Sequence, residues 1–145
     1  MEIAELVSGT LTEFSREKIL ALEAELSKLP QLPPEAHPVR HIFAHGLYLR
    51  EIFIPAGVVC TGKIHLYDHV VFVLGDVSFY SNEGLQRVTG CETFVSKAGI
   101  KRAVYTHADS WITTVHANPT NERDPDKVVD LFVVNDYRQL PGGLQ

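Results

Sequence analysis

The sequence has few cysteines and no long hydrophobic run. Only Cys60 and Cys91 occur in 145 residues. They form no CxxC pair, and a domain of this length needs no disulfide scaffold, so we expect two reduced thiols. No apolar stretch approaches the roughly 18 to 20 residues that cross a bilayer. The N-terminus lacks the basic segment and apolar run of a secretory signal. We therefore predict a cytoplasmic protein with no membrane partner.

Positive charge is in the minority. Thirteen Lys and Arg residues stand against 18 Asp and Glu residues, which gives a formal net charge of -5. A general nucleic-acid-binding protein normally carries a basic face, so we predict no nucleic-acid partner. Motifs for nucleophilic hydrolysis, phosphate binding by a glycine-rich loop and the HExxH zinc site are missing too. The length is that of one domain, which argues against two catalytic domains.

The first part of the chain has the pattern of a helix. Residues 10–29 carry apolar side chains at three-to-five-residue spacing, with Thr10 or Thr12 as the cap and Pro30 as the end. An isolated amphipathic helix of this length is marginal in water, so it should dock on the rest of the chain or on a neighbouring subunit. We predict three parts: a helix and proline-rich linker over 1–38, a β domain over 39–137, and a tail over 138–145.

The middle of the chain has short β-rich runs separated by turn residues. Such closely spaced short strands are typical of a sandwich or a barrel. Turn signals include Pro55-Ala56-Gly57, Gly75-Asp76 and His107 to Ser110, and residues 118–127 are predicted to form a polar loop. The predicted strands cover 47–54, 58–64, 70–74, 77–80, 87–88, 93–95, 102–106, 111–116 and 128–134.

Two of the seven histidines, His65 and His69, form the most informative pair. If the chain bends at Tyr67-Asp68, His69 opens a new strand and can face His65. Two imidazoles that converge from adjacent strands make a plausible half-site for a divalent metal ion. The remaining histidines near loops and strand starts are predicted to be structural or exposed: His37, His41, His45 and His107.

Two segments resemble the sequence motifs of the cupin superfamily. The pattern Lys63-x-His65-x3-His69, followed by an apolar strand and Gly75-Asp76-Val77, resembles the first cupin motif, and residues 90–102 resemble the second. More narrowly, the strings at 50–57, 62–69, 99–102 and 111–116 resemble uncharacterised cupin-like proteins of tailed bacteriophages and prophages. This resemblance implies a mainly β, jelly-roll barrel or sandwich behind an N-terminal amphipathic helix. It also implies a homo-oligomer.

The chain departs from the cupin ligand pattern. The four metal-ligand positions fall on Lys63, His65, His69 and Arg102, and the two cations are poor ligands. His116 supplies a third imidazole if its strand turns it inward; alternatively, it ends a strand and bonds a backbone carbonyl. A His65, His69 and His116 site would suit zinc, iron, manganese or nickel.

Three functions remain open from the sequence. The first is a metal-binding cupin, with or without catalysis, in which Glu51 or Tyr67 acts as an acid or base. The second is a metal-free pocket for a small anionic ligand, bound by Lys63 and Arg102, with Glu51 available to balance their charge. The third is a non-catalytic phage virion accessory or decoration protein, in the virion or the host cytoplasm, that contacts phage structural proteins and assembles through its N-terminal helix.

Overall fold

The computed structural model describes residues 16–140. Two α-helices and two 3-10 turns accompany the strands: α1 is Arg16–Leu26, α2 is Pro125–Val129, and the 3-10 turns are Pro34–Ala36 and Tyr137–Gln139. The strands are β1 (Val39–Ala44), β2 (Leu47–Ile54), β3 (Val59–Thr61), β4 (Ile64–His65), β5 (His69–Ser81), β6 (Gly84–Ser96), β7 (Ala103–Thr106), β8 (Ser110–Ala117) and β9 (Val133–Val134).

Seven of the strands form one antiparallel sheet, ordered β1-β2-β8-β5-β7-β3, with β6 paired to the other side of β5. The 13-residue strand β5 is long enough to pair with β8 through its first half and with β7 through its second half. The sheet therefore curls around its own inner face, which confirms the predicted mainly β fold. Strands β4 and β9 form a separate two-stranded sheet.

The core lies on the inner face of the curled sheet. Alternate residues of β5 point inward, as the two-residue period of a strand requires. Val73 and Val77 are 1% and 0% exposed. Apolar residues from β5 itself and from four further strands (β2, β6, β7 and β8) complete the main cluster: Ile54, Val71, Val73, Val77, Phe79, Val88, Val104 and Ile112.

The predicted turn at Gly75-Asp76 is wrong, because both residues lie inside β5. Gly75 has a φ of +145°, and a Cβ atom there would overlap the side chain of Ser110. Ser110 Oγ accepts a hydrogen bond from the Asp76 backbone N–H at 3.1 Å. The glycine thus marks a close approach of β8 rather than a reversal of the chain. The runs predicted at 87–88 and 93–95 are likewise parts of one strand, β6.

The predicted strand at 128–134 is also wrong. The chain there forms α2 and then, after a turn, the two-residue strand β9. The Asp124 side chain accepts the Asp126 backbone N–H, and Pro125 occupies the first helical turn, so the helix has a capped start inside the predicted polar loop. The β-branched pair Val128-Val129 locally favours a strand. The helix forms instead because it buries Val128 against Tyr48.

Helix α1 packs on the chain's own barrel. Ile19 and Leu22, each 1% exposed, contact Tyr80 and Ala103. The buried Lys101 Nζ lies 2.7 Å from Glu23 Oε2, which adds an ion pair to this contact. The predicted caps Thr10 and Thr12 and the end of the predicted tail, residues 141–145, lie outside the described residues. Within residues 16–140, no helix is long and apolar enough to cross a membrane.

Candidate metal centre

The three histidines of the predicted metal site come from three strands. His65 lies in β4, His69 is the first residue of β5, and His116 is close to the end of β8. Pairing of Val70 with Val115 places the start of β5 beside the end of β8. His65 is fixed by its pairing with Val133 and by the Gly99 backbone N–H, which donates to the His65 carbonyl at 2.8 Å.

The imidazole rings of His65, His69 and His116 form one cluster. Their ring centroids are 4.2 Å apart for His65 and His69, 4.9 Å for His69 and His116, and 5.3 Å for His65 and His116. Each ring offers one nitrogen atom, and these three nitrogens all lie within 4.8 Å of one another. The structure therefore brings His116 beside His65 and His69.

This nitrogen set fits a divalent metal ion. Zinc binds imidazole nitrogen at about 2.0–2.1 Å, so two nitrogens on one ion are at most about 4.2 Å apart. The nitrogens of the cluster lie within 4.8 Å of one another, so the rings would have to draw slightly closer around a bound ion. Imidazole is a ligand for several divalent metals, zinc, iron and nickel among them, so the three histidines could hold a metal ion and do not select one metal.

Hydrogen bonds orient the rings of all three histidines. His69 Nδ1 donates to the Tyr67 carbonyl at 3.3 Å, which leaves Nε2 with its lone pair. His116 Nε2 lies 2.8 Å from Thr114 Oγ1, and donation to that oxygen leaves Nδ1 as the ligand atom. The Lys63 backbone accepts a hydrogen bond from the His65 ring. Hydrogen-bond partners of this kind hold a metal-binding histidine in the correct tautomer.

The surroundings keep the imidazoles neutral, which is the form that binds a metal ion. Burial, together with the neighbouring rings and Arg50, lowers the pKa of His116 to about 3. Burial, together with His69, Arg102 and Arg50, lowers the pKa of His65 to about 3. Burial also lowers the pKa of His69, and Arg102 adds to this effect. Protons therefore compete weakly for the ligand nitrogens.

Aromatic and apolar residues border the cluster. The Phe132 ring stacks on His116, and Tyr48 lies behind both rings with centroid distances of about 6 Å. A cleft of about 350 Å³ opens beside His69 and His116. A small molecule in this cleft would contact the histidines directly. The rest of its lining is Tyr67, Asp68, Ala117, Pro119, Thr120, Leu131 and Phe132.

No protein-family model and no curated protein matches the sequence. Several solved structures share the fold. An RmlC-like cupin from Shewanella frigidimarina has a TM-score of 0.49 and 13% identity over 61% of this chain and 79% of that chain. KdgF from Halomonas sp. has a TM-score of 0.50 and 14% identity over 66% and 88%. Salicylate 1,2-dioxygenase from Pseudoaminobacter salicylatoxidans, in a structure with gentisate adducts, has a TM-score of 0.52 and 12% identity.

The chain has a cupin-like jelly-roll fold. The likeness to the dioxygenase covers 80% of this chain and 33% of the dioxygenase chain. Identities this low show the fold and carry no activity with them. The narrower resemblance to phage proteins is not shown by these comparisons. Phage structural partners and a homo-oligomer therefore stay predictions.

The three further residues that the sequence placed at the site lie in different surroundings. Arg102 is close to the histidines: it donates to Ser96 Oγ, and Ser96 is the cross-strand partner of His69. Lys63 is exposed. Glu51 lies on the outer face of the sheet, where Arg40 and Thr113 contact its carboxylate at 3.3 Å. The structure thus brings Arg102 to the cluster and leaves Glu51 on the other side of the barrel wall.

Sequence reasoning missed three residues beside the cluster: Arg50, Thr114 and Phe132. Arg50 and Thr114 are cross-strand partners on the inner face of β2 and β8. The two-residue alternation with Tyr48 and Ile52 was a signal that Arg50 shares their face, but the sequence did not reveal which face is inner. Phe132 was hidden in the run that was interpreted as a strand.

Proposed function

We propose that this protein is a small metal-binding cupin-fold protein in which His65, His69 and His116 hold one divalent metal ion. The observation that carries the proposal is the convergence of three imidazole nitrogens, from three separate strands, within 4.8 Å. Histidines with only structural roles would not be expected to direct their ring nitrogens toward one point. The resident metal belongs to the set zinc, iron, manganese and nickel.

The arrangement leaves room for a ligand at the metal. Three protein ligands are typical of sites that keep an open coordination position. A bound ion of this kind polarises a ligand oxygen or activates water. The chain's own contribution is to keep the imidazoles neutral and oriented, and to admit a small molecule through the cleft beside His69 and His116. The cation Arg102 favours an anionic molecule.

Metal analysis of the full chain, purified without an affinity tag, tests this function. We expect close to one divalent ion per wild-type chain after loading and dialysis. A His65→Ala/His69→Ala double variant and a His116→Ala variant should lose most of it. The matched control is His37→Ala/His45→Ala, which removes two histidines outside the cluster and should keep the wild-type content.

Circular dichroism and thermal unfolding of each variant confirm that the barrel is folded before metal content is compared. Equal metal content in wild type and in folded double variant would refute the proposed site. Equal loss in the His37→Ala/His45→Ala control would show that the metal binds elsewhere on the surface.

A further inference from the structure

Arg50 faces the interior of the barrel beside the candidate metal centre. In β2, Tyr48 pairs with His116 and Arg50 pairs with Thr114, so all four side chains lie on the same face of the sheet. Cross-strand partners have Cβ atoms about 4.5–5.5 Å apart. Thr114 in turn hydrogen-bonds His116. Arg50 therefore belongs to the next inward-facing residue pair along the strands from His116, a proposed metal ligand.

Among residues 16–140, no carboxylate forms an ion pair with Arg50. Its neighbours on the inner face are His41 and Thr114 across the strands and Tyr48 and Ile52 along its own strand. Glu51, next in the chain, points to the outer face and pairs there with Arg40. Within residues 16–140, the Arg50 side chain has no ion pair and no hydrogen bond. This cation is thus left without a counter-charge by the part of the chain that the structure describes.

A second guanidinium group lies on the other side of the histidines. Arg102 donates to Ser96 Oγ beside His69 and lies over the Phe94 ring at 5.7 Å. It also belongs to none of the ion pairs found between residues 16 and 140. The histidine cluster therefore sits between two cations, and its own donor set contains no carboxylate.

Arg50 is not sealed inside the barrel. Arg50 and Thr114 face inward, yet both are only partly buried, whereas Val73 and Val77 further along the inner face are fully buried. Part of Arg50 therefore keeps contact with solvent, and a small anion would reach its guanidinium group by this route. Removing a charge from water without a partner is unfavourable, so an anion that enters this space is favoured there.

We propose that Arg50 binds the carboxylate group of a small anionic ligand inside the barrel, next to the histidine cluster, with Arg102 as a second positive group. This inference rests on the proposed function and names the class of ligand at the same site. A planar carboxylate accepts two parallel hydrogen bonds from one guanidinium fork. The other groups beside Arg50 are two rings, the Thr114 hydroxyl and the apolar Ile52 side chain, which suit a compact, singly charged planar group better than a phosphate.

Titration calorimetry on the full chain tests the inference, in its zinc-loaded and metal-free forms. The probes are acetate and benzoate, their uncharged counterparts acetamide and benzamide, and inorganic phosphate. We expect wild type to bind at least one acid about tenfold or more tightly than its amide. Arg50→Gln should lose that preference about tenfold, and Arg50→Lys should lose less, because a point charge remains without the fork.

The matched control is Arg40→Gln, which removes an exposed arginine from the neighbouring strand on the outer face. It should bind the acids as wild type does, and all variants should keep the wild-type zinc content and unfolding temperature. The inference is overturned if neither acid is preferred to its amide, if Arg50→Gln keeps the preference, or if phosphate binds about tenfold more tightly than both acids.

The two proposals can fail separately. If wild type holds no zinc but keeps an Arg50-dependent preference for a carboxylate, the metal proposal fails and the ligand inference stands. If zinc is held by the three histidines and Arg50→Gln changes nothing, the ligand inference fails and the metal proposal stands.

Discussion

The Phe132 ring lies parallel to the His116 imidazole, with centroids 3.8 Å apart and an interplanar angle of 5°. Phe132 is 4% exposed, and its backbone carbonyl accepts the Leu66 N–H at 2.8 Å. It is also parallel to His65 at 5.9 Å. One rigid ring, anchored by its own backbone, thus limits the rotation of two proposed metal ligands.

We expect Phe132→Leu to weaken zinc binding about tenfold, the lower end of the effect known for groups that orient metal ligands. The reason is that leucine fills much of the volume but leaves the His116 ring free to turn. Competition with a chelator of known affinity measures the change. Phe79→Leu makes the same substitution in the main core cluster. If it weakens zinc binding equally, general loosening of the barrel explains the effect and the orienting role is wrong.

The Glu23 carboxylate should make folding stability depend on pH. Partial burial raises its pKa, but hydrogen bonds from Lys101 and Thr61 outweigh this and hold the pKa below its ordinary value of 4.5. A carboxyl whose pKa is lowered by folding adds stability above its ordinary pKa, and that stability is lost as pH falls through the folded-state pKa. Acid should therefore weaken the attachment of α1.

Glu23→Gln removes this titration. We expect the free energy of unfolding of the variant to decline less steeply than that of wild type between about pH 5 and about pH 3. Urea unfolding at a series of pH values measures both curves. Glu17→Gln, on an exposed position of the same helix, should follow the wild-type slope. A parallel decline of wild type and Glu23→Gln would contradict the role of the ion pair.

Much of the fold was predictable because local patterns agree with the tertiary contacts. The run at 47–54 is rich in apolar and aromatic residues, and β2 covers that range in the structure. His65 and His69 were identified from a motif, and His116 from its place near the end of a β-rich run. In each case the spacing along one or two strands carries the information that the site requires.

Other features depend on contacts between distant segments, which spacing does not reveal. Arg50, a cation, and Glu51, an anion, are adjacent in the sequence. Only the pairing of β2 with β8 decides that Arg50 is inside the barrel and Glu51 outside. Phe132 reaches His116 because α2 packs on Tyr48. No pattern within residues 118–134 indicates that contact.

Gly75 should be among the least replaceable glycines. A Cβ atom at Gly75 overlaps Ser110, whose hydroxyl holds the Asp76 N–H. We expect Gly75→Ala to lower the free energy of unfolding by at least about 2 kcal/mol, because β8 must move or the backbone must strain. Its cross-strand partner Gly90 has a φ of +81° but open space around it, so Gly90→Ala should cost about 1 kcal/mol from the backbone alone. Equal losses in chemical denaturation would refute the steric explanation.

Thr114 and Thr113 are neighbours on β8 that face opposite sides of the barrel wall. Thr114 Oγ1 lies 2.8 Å from His116 Nε2, whereas Thr113 Oγ1 donates to Glu51 Oε2 on the outer face. Valine keeps the shape of threonine and removes the hydroxyl. In Thr114→Val the Nε2–H loses its acceptor, so the tautomer that presents Nδ1 to the metal is no longer favoured and a buried donor is left unpaired.

We therefore expect Thr114→Val to weaken zinc binding by about 10-fold to 100-fold and Thr113→Val to leave it unchanged. Chelator competition measures the affinities, and nitrogen chemical shifts of the His116 ring report the tautomer in the metal-free protein. A shift of the tautomer toward Nδ1–H in Thr114→Val, together with weaker binding, identifies His116 Nδ1 as the ligand atom. Wild-type affinity in Thr114→Val, or equal losses in the two variants, would mean that this hydroxyl does not orient the metal ligand.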